Sequence, residues 1–190
     1  MTGPRLALYT FGIFIRPAAD PANDGFHARN DINLAAVECS EGFIARSGYD
    51  GDPGPASWGP HRYPRFYSGE GHSPSTLSLW RDLNAPCAYA YSGIHAEALS
   101  LGREWFQRPL APPLKPAWPP YVLWWVAPGH VPDWQEAVER HEYLHDHGAS
   151  AHAFDWKIPF DAEGRPASLD RDAVRRLTAI NRERQAALQT

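Results

Sequence analysis

The chain has few of the residues that mark a secreted or membrane protein. Its 190 residues contain two cysteines, Cys39 and Cys87, without CxxC spacing, so we expect reduced thiols and a cytoplasmic protein. The N-terminal apolar residues are interrupted by Thr10, Gly12 and Arg16, which is unlike a signal peptide. No apolar run approaches the length that spans a bilayer. We therefore expect a soluble protein with no membrane partner.

Concentrated positive charge and the common nucleotide motifs are also missing. The chain carries 18 basic and 22 acidic side chains, and its basic residues are spread along its length. This balance disfavours nucleic acid as the main partner. The sequence contains no GxGxxG, Walker or GxSxG motif, which argues against the usual nucleotide-binding and α/β-hydrolase sites. A hydrophobic content of 43% is enough for the core of one domain.

The hydrophobic pattern alternates between strand-like and helix-like segments. Strands are rich in β-branched and aromatic residues, whereas the helices show an apolar stripe and end near glycine. Residues 121–127 (YVLWWVA) are apolar on both faces, which predicts a central buried strand. The predicted strands are 5–16, 43–49, 75–81, 121–127 and 151–160, and the predicted helices are 24–41, 86–106, 133–147 and 170–188.

A long segment rich in proline and glycine, residues 50–74, separates the second and third predicted strands. Its five prolines favour a loop over regular structure. It also carries Trp58, Tyr63, Phe66 and Tyr67, which is unusual for a solvated loop. We expect these aromatic side chains to pack against the domain or to line the mouth of a pocket.

The order of elements predicts an α+β protein of the ferredoxin-like, split βαβ type. Residues 1–160 would form this domain, and residues 161–190 a helical tail, with an extra helix–strand–helix extension at the C-terminal end. Helices would cover one face of the antiparallel sheet and leave the other face free. Because such a face is apolar, we expect it to be buried against a second copy, giving a homodimer.

Four segments carry a resemblance to a known family. The segments are FHARNDINLAAVECSEGFIARSGY (26–49), SLWRDL (78–83), AYSGIHAEAL (90–99) and YVLWWVAPGH (121–130). In these segments the chain resembles an uncharacterised bacterial family, a domain of unknown function in the dimeric α/β-barrel superfamily, over about residues 5–160. It is also similar to spheroidene-monooxygenase-like proteins and, more loosely, to antibiotic-biosynthesis monooxygenases. Some superfamily members bind heme in the barrel through one histidine, and others oxidise aromatic molecules without a cofactor.

One histidine, His95, lies on the apolar face of the predicted 86–106 helix. A neutral imidazole on a rigid element that faces an apolar cavity suits an axial heme ligand, and the absence of CxxCH implies a non-covalent heme b. The face comprises Ala88, Tyr91, Ser92, His95, Leu99, Gly102 and Phe106. The predicted heme pocket has Trp80, Tyr91, Phe106 and Trp124 in its walls and Arg81 or Arg103 beside a propionate.

Three alternatives to heme binding at His95 remain open at this point. His95 could act as a general base with Tyr91 as hydrogen-bond partner, in a cofactor-independent oxygenase. The pocket could bind a small hydrophobic or aromatic molecule without catalysing a reaction. His95 could also be a core histidine bonded to a backbone carbonyl. The first expectation is a heme-binding or monooxygenase-like oxidoreductase, and the binding module is its main rival.

Residues 141–145 read HEYLH, a formal match to the HExxH zinc motif. Its histidines, His141 and His145, share a helical face, as zinc ligands on a helix must. The helix is short, however, and no third ligand stands at the spacing typical of zinc proteases. The alternative is a histidine-rich amphipathic helix packed at the sheet edge, which we favour over a zinc site.

Overall fold

The computed structural model describes residues 3–67, 69, 73–107 and 118–188, and a four-stranded antiparallel sheet forms its centre. The strand order is β2-β3-β1-β4. In this register Leu8 lies between Ser78 and Leu123 on the neighbouring strands. The strands are β1 Arg5–Phe11, β2 Phe43–Arg46, β3 Ser75–Trp80 and β4 Tyr121–Val126. The helices are α1 Asp24–His27, α2 Asn30–Glu38, α3 Asn84–Ala90, α4 Gly93–Trp105, α5 Trp134–His147 and α6 Arg171–Ala186, with a 3-10 turn at Pro21–Asn23.

Two predictions about strands are wrong in detail. The segment 121–127 does form a strand buried on both faces, but β4 stands at the edge of the sheet rather than at its centre. Residues 151–160 form no strand; Phe154 makes a single bridge to Leu123, with N···O distances of 2.8 and 2.9 Å in the two directions. This bridge pairs backbone groups at the outer edge of β4, and the two faces of β4 are apolar because Leu123 packs in one core cluster and Val122 and Trp124 in the other.

The predicted helix 86–106 is two helices, and this changes which side chains face the core. Ser92 is extended (φ −144°, ψ 163°) and Gly93 has a φ of +57°, so α3 ends before α4 begins. A break of this kind resets the helical phase. Leu99, on the predicted buried face, is 51% exposed, whereas Ile94 and Trp105 are buried. The predicted helix 24–41 is likewise divided, into α1 and α2.

Helices α2, α3, α4 and α6 cover one face of the sheet. Leu6 and Leu8 of β1 pack there against Ala88 and Leu177. Helix α6 belongs to this layer and is not a detached tail: the amide side chain of Gln185 accepts a hydrogen bond from the backbone N–H of Ile94 (3.1 Å) at the start of α4. No helix in the described ranges is both long and apolar enough to cross a bilayer.

The other face of the sheet is covered by the same chain. Helix α5 begins with an Asp133 cap and lays Trp134 against this face, where Tyr9 and Trp124 are fully buried. The aromatic residues of segment 49–67 complete the cover, which confirms that this loop packs on the domain. The homodimer was predicted to bury this sheet face, but the face is not free. Helix α5, which the sequence analysis placed in the C-terminal extension, covers it.

Candidate functional site

His95 is a half-buried, neutral histidine at the first turn of α4. Its Nδ1 lies 2.8 Å from the carbonyl oxygen of Ala90; since a carbonyl only accepts, Nδ1 carries the proton and Nε2 keeps its lone pair. Burial lowers the pKa of His95 below its usual value. The Tyr89 ring packs on it at 4.7 Å. This hydrogen bond matches the alternative in which His95 is a core histidine bonded to a backbone carbonyl. It also leaves Nε2 able to accept a hydrogen bond.

The residues predicted to share a heme pocket with His95 lie in three separate places. Trp80 reaches His95 only through Tyr89, whose ring is 5.7 Å from Trp80. Trp124 lies on the opposite face of the sheet, where its indole N–H donates to Glu136 (2.9 Å). Phe106 lies beyond the far end of α4, about 16 Å along the helix axis from His95.

The predicted polar partners of the heme do not converge on His95 either. Arg81 is held by Glu41 (2.7 Å) and Asp82 (3.0 Å). Arg103 is exposed on α4, and Tyr91 is 58% exposed and packs against Trp156. These residues do not form one cavity around His95, so the described residues do not fit a heme at this position.

The two histidines of the HEYLH segment do not form a zinc site. His141 is fully buried, and its Nε2–H donates to the carbonyl oxygen of Pro119 (2.6 Å). His145 pairs instead with Asp146 (3.0 Å) beside the Arg65 guanidinium. Among the residues that the structure describes, no group of three or more potential ligands could hold a metal ion. His141 is a core histidine, enclosed on the sheet face that α5 covers.

The structure contains a cavity of about 280 Å³ at the end of the sheet, and it does not involve His95. The chain that follows β1, residues 13–18, forms one wall. Phe66 and Tyr67 of the proline-rich segment and Trp118 also line the cavity. The prediction that aromatic residues of this segment line a pocket is therefore confirmed for Phe66 and Tyr67.

Main-chain pairing with the end of α4 fixes the wall that follows β1. The N–H of Ile15 donates to the carbonyl of Trp105 (2.8 Å), and that of Gln107 donates to the carbonyl of Ile13 (2.8 Å). Between these two bonds the Phe14 ring stacks on Phe106 (5.2 Å). Phe106, a predicted site residue, thus supports the wall of this cavity from behind. The wall is held by backbone bonds and ring packing and is preformed for a ligand.

Three polar side chains border the cavity. The Ser73 hydroxyl is buried and has no hydrogen-bond partner in the described part of the chain. The Gln107 amide N–H donates to the carbonyl of Phe14 (3.0 Å). Arg16 lies at the rim, 3.9 Å from Asp20 and 62% exposed in its side chain. The wall of this cavity is therefore mixed, with polar groups beside its aromatic side chains, and small-molecule sites also combine apolar walls with a few polar groups.

Sequence reasoning missed most of this cavity. Residues 13–16 were assigned to the end of the predicted strand 5–16, and neither residues 17–18 nor Trp118 was predicted to line a site. A usable signal was the apolar run of Ile13, Phe14 and Ile15, which continues past the end of β1 at Phe11. Apolar side chains that follow a strand need a partner, and here the partner is the end of α4.

These features define an α+β protein with a small preformed cavity at one end of its sheet. The chain belongs to the family described as "Domain of unknown function (DUF3291)", whose model matches residues 5–170. No curated protein and no solved structure matches the chain. The resemblance to an uncharacterised family is confirmed, and the family description assigns no activity.

Proposed function

We propose that this protein binds a small, mainly apolar or aromatic molecule in the cavity between residues 13–18 and Phe66. The observation that carries the proposal is the cavity itself, with Phe14, Phe66 and Trp118 in its walls. Ligand pockets commonly measure roughly 300–1,000 Å³. A cavity of about 280 Å³ is just below this range and suits a single ring with short substituents.

Binding is better supported than catalysis at His95. A general base must lie within hydrogen-bond reach of the proton that it removes. The cavity is bordered by other residues, and His95 is separated from them by most of the length of α4. The heme-dependent and cofactor-independent oxidoreductase hypotheses both need a cavity beside His95, so the binding module, which was their rival, is the function that we propose.

We also propose that the fold is of the ferredoxin-like type found in the dimeric α/β-barrel superfamily. Its support is the strand order β2-β3-β1-β4 with every neighbouring pair antiparallel. Strand β3 then lies between β1 and β2, and β1 lies between β3 and β4, as in two interleaved βαβ units. A homodimer stays a prediction, and its interface would lie away from the sheet face that α5 covers.

A cavity-filling variant with a neighbouring control tests the proposed function. Ala18 borders the cavity, whereas Ala19 is exposed beside it. We expect small aromatic compounds to shift the indole N–H resonance of Trp118 in wild-type protein and in Ala19→Trp, and to leave it unchanged in Ala18→Trp. If no compound shifts this resonance, or if Ala18→Trp binds as wild type does, the cavity is not a binding site.

A further inference from the structure

We propose that the ligand of this cavity is a monoanion, an aromatic ring bearing one carboxylate, and that Arg16 binds the carboxylate. The inference rests on the proposed small-molecule binding and names its ligand class. It starts from the charge of the wall: among the described residues that border the cavity, Arg16 alone carries a charge. A positive group beside aromatic walls favours an anionic ligand and disfavours a cationic one.

The guanidinium of Arg16 is available to a ligand. Among the residues that the structure describes, its acidic partner is Asp20, at 3.9 Å, which is beyond hydrogen-bond distance. Asp20 is itself engaged as a cap, because its carboxylate accepts the N–H of Ala22 (2.9 Å) at the start of the 3-10 turn. Exposed ion pairs at such distances contribute little to stability. A carboxylate in the cavity would therefore meet uncommitted N–H donors rather than displace an existing strong pair.

A second arginine near the cavity is not available in this way. Arg65 stacks over the Phe66 ring, with its guanidinium carbon 5.0 Å from the ring centre. Its N–H groups are bonded to the carboxylate of Asp146, one of them at 2.9 Å, and its backbone N–H donates to Glu142 (2.7 Å). These bonds hold Phe66 in the wall. The charge of Arg65 is neutralised by α5, which leaves Arg16 as the charged group in the described part of the cavity wall.

The number and kind of donors favour a carboxylate over a phosphate. A guanidinium offers two parallel N–H groups that match a carboxylate. A phosphate dianion needs more positive charge or a set of backbone N–H groups, whereas one arginine supplies a single charge. Phe14 and Phe66 then contact the ring.

Benzoate and its neutral isostere benzamide separate the carboxylate inference from ring binding. We expect wild-type protein to bind benzoate more tightly than benzamide, by up to about tenfold, because the charge-assisted contact with Arg16 is made at an exposed rim. The affinity for each compound is measured by NMR, from the shift of the Trp118 indole N–H resonance as the compound is added. In Arg16→Gln the benzoate affinity should fall to that of benzamide, while benzamide affinity stays as in wild type. Arg176→Gln, at an exposed position of α6, is the matched control.

The outcomes distinguish the two proposals. If both compounds bind wild-type protein equally and Arg16→Gln changes neither affinity, the carboxylate inference is wrong and the binding function stands. If neither they nor other small aromatic compounds bind, both proposals fail together. Salt provides an independent readout: raising the ionic strength should weaken benzoate binding at the exposed rim and leave benzamide binding unchanged.

Discussion

Protonation of the buried His141 should make the stability of this protein fall steeply in mild acid. The imidazole is fully buried against Tyr9 and Phe11, with ring centres 5.4 and 5.6 Å away, and burial lowers its pKa to about 4. Its Nε2–H is bonded to the carbonyl of Pro119, and its Nδ1 is buried without a partner in the described part of the chain. A second proton at Nδ1 would have no acceptor there.

The sign and size of the effect follow from the two pKa values. As the pH falls below 6.5, His141 of the unfolded chain takes up a proton, whereas the folded protein stays neutral there until about pH 4. The contribution of His141 to stability is therefore complete above pH 6.5 and is lost as the pH falls towards 4. The difference between these pKa values corresponds to about 3 kcal/mol, since one unit is worth about 1.4 kcal/mol.

Urea unfolding followed by tryptophan fluorescence, at about pH 7 and about pH 4.5, measures this loss in wild-type protein and in His141→Gln. Glutamine can still donate to Pro119 but does not titrate. Other groups, such as His95 and His152, whose pKa values burial also lowers, contribute equally to both proteins and cancel. We expect wild type to lose about 2–3 kcal/mol more than the variant between these pH values. Equal losses would refute the reasoning, and exposed His147→Gln should behave as wild type.

Two further predictions concern α4. Gly93→Ala should lower the free energy of unfolding by about 2–4 kcal/mol, because its Cβ would lie 2.1 Å from Gln185 Oε1 and its φ is +57°. Gly129→Ala is the control, because Gly129 has a φ of +82° and no atom lies within 4 Å of the added Cβ. Its free energy of unfolding should fall less than that of Gly93→Ala, since only the backbone conformation is strained. Equal losses in the two variants would contradict the steric argument. Hemin titration should give the same absorption spectrum for wild type and His95→Ala; a Soret band that depends on His95 would show that heme does bind there.

The sequence was most informative where the signal is local. Strand β3 and helix α5 lie close to their predicted bounds, since residues 75–80 alternate and Asp133 and Gly148 mark the two ends of α5. Which side chains of residues 86–106 face the core was not predictable in the same way. A helical wheel assumes one continuous helix, and a single extended residue, Ser92, is enough to rotate the remaining side chains to another face.

The candidate site shows a second limit of sequence reasoning. His95 and HEYLH attracted attention because histidines are chemically conspicuous, yet both are explained by bonds to backbone carbonyls, of Ala90 and Pro119. The cavity depends on contacts between distant segments, such as the bridge between Phe14 and Phe106. Only the aromatic residues in the 50–74 loop pointed to it, because large side chains in a proline-rich segment need a surface to cover.

Helix α6 and the proposed site can be separated experimentally, because they contact opposite ends of α4. The cavity wall is paired with Trp105 and Gln107 at the C-terminal end, and Gln185 of α6 accepts from Ile94 at the N-terminal end, about 16 Å away along the helix. The cavity also lies within the matched residues 5–170, whereas α6 begins at Arg171. A variant that weakens the α6 contact, such as Gly93→Ala, should therefore lower stability and leave benzoate affinity unchanged under conditions where the protein stays folded.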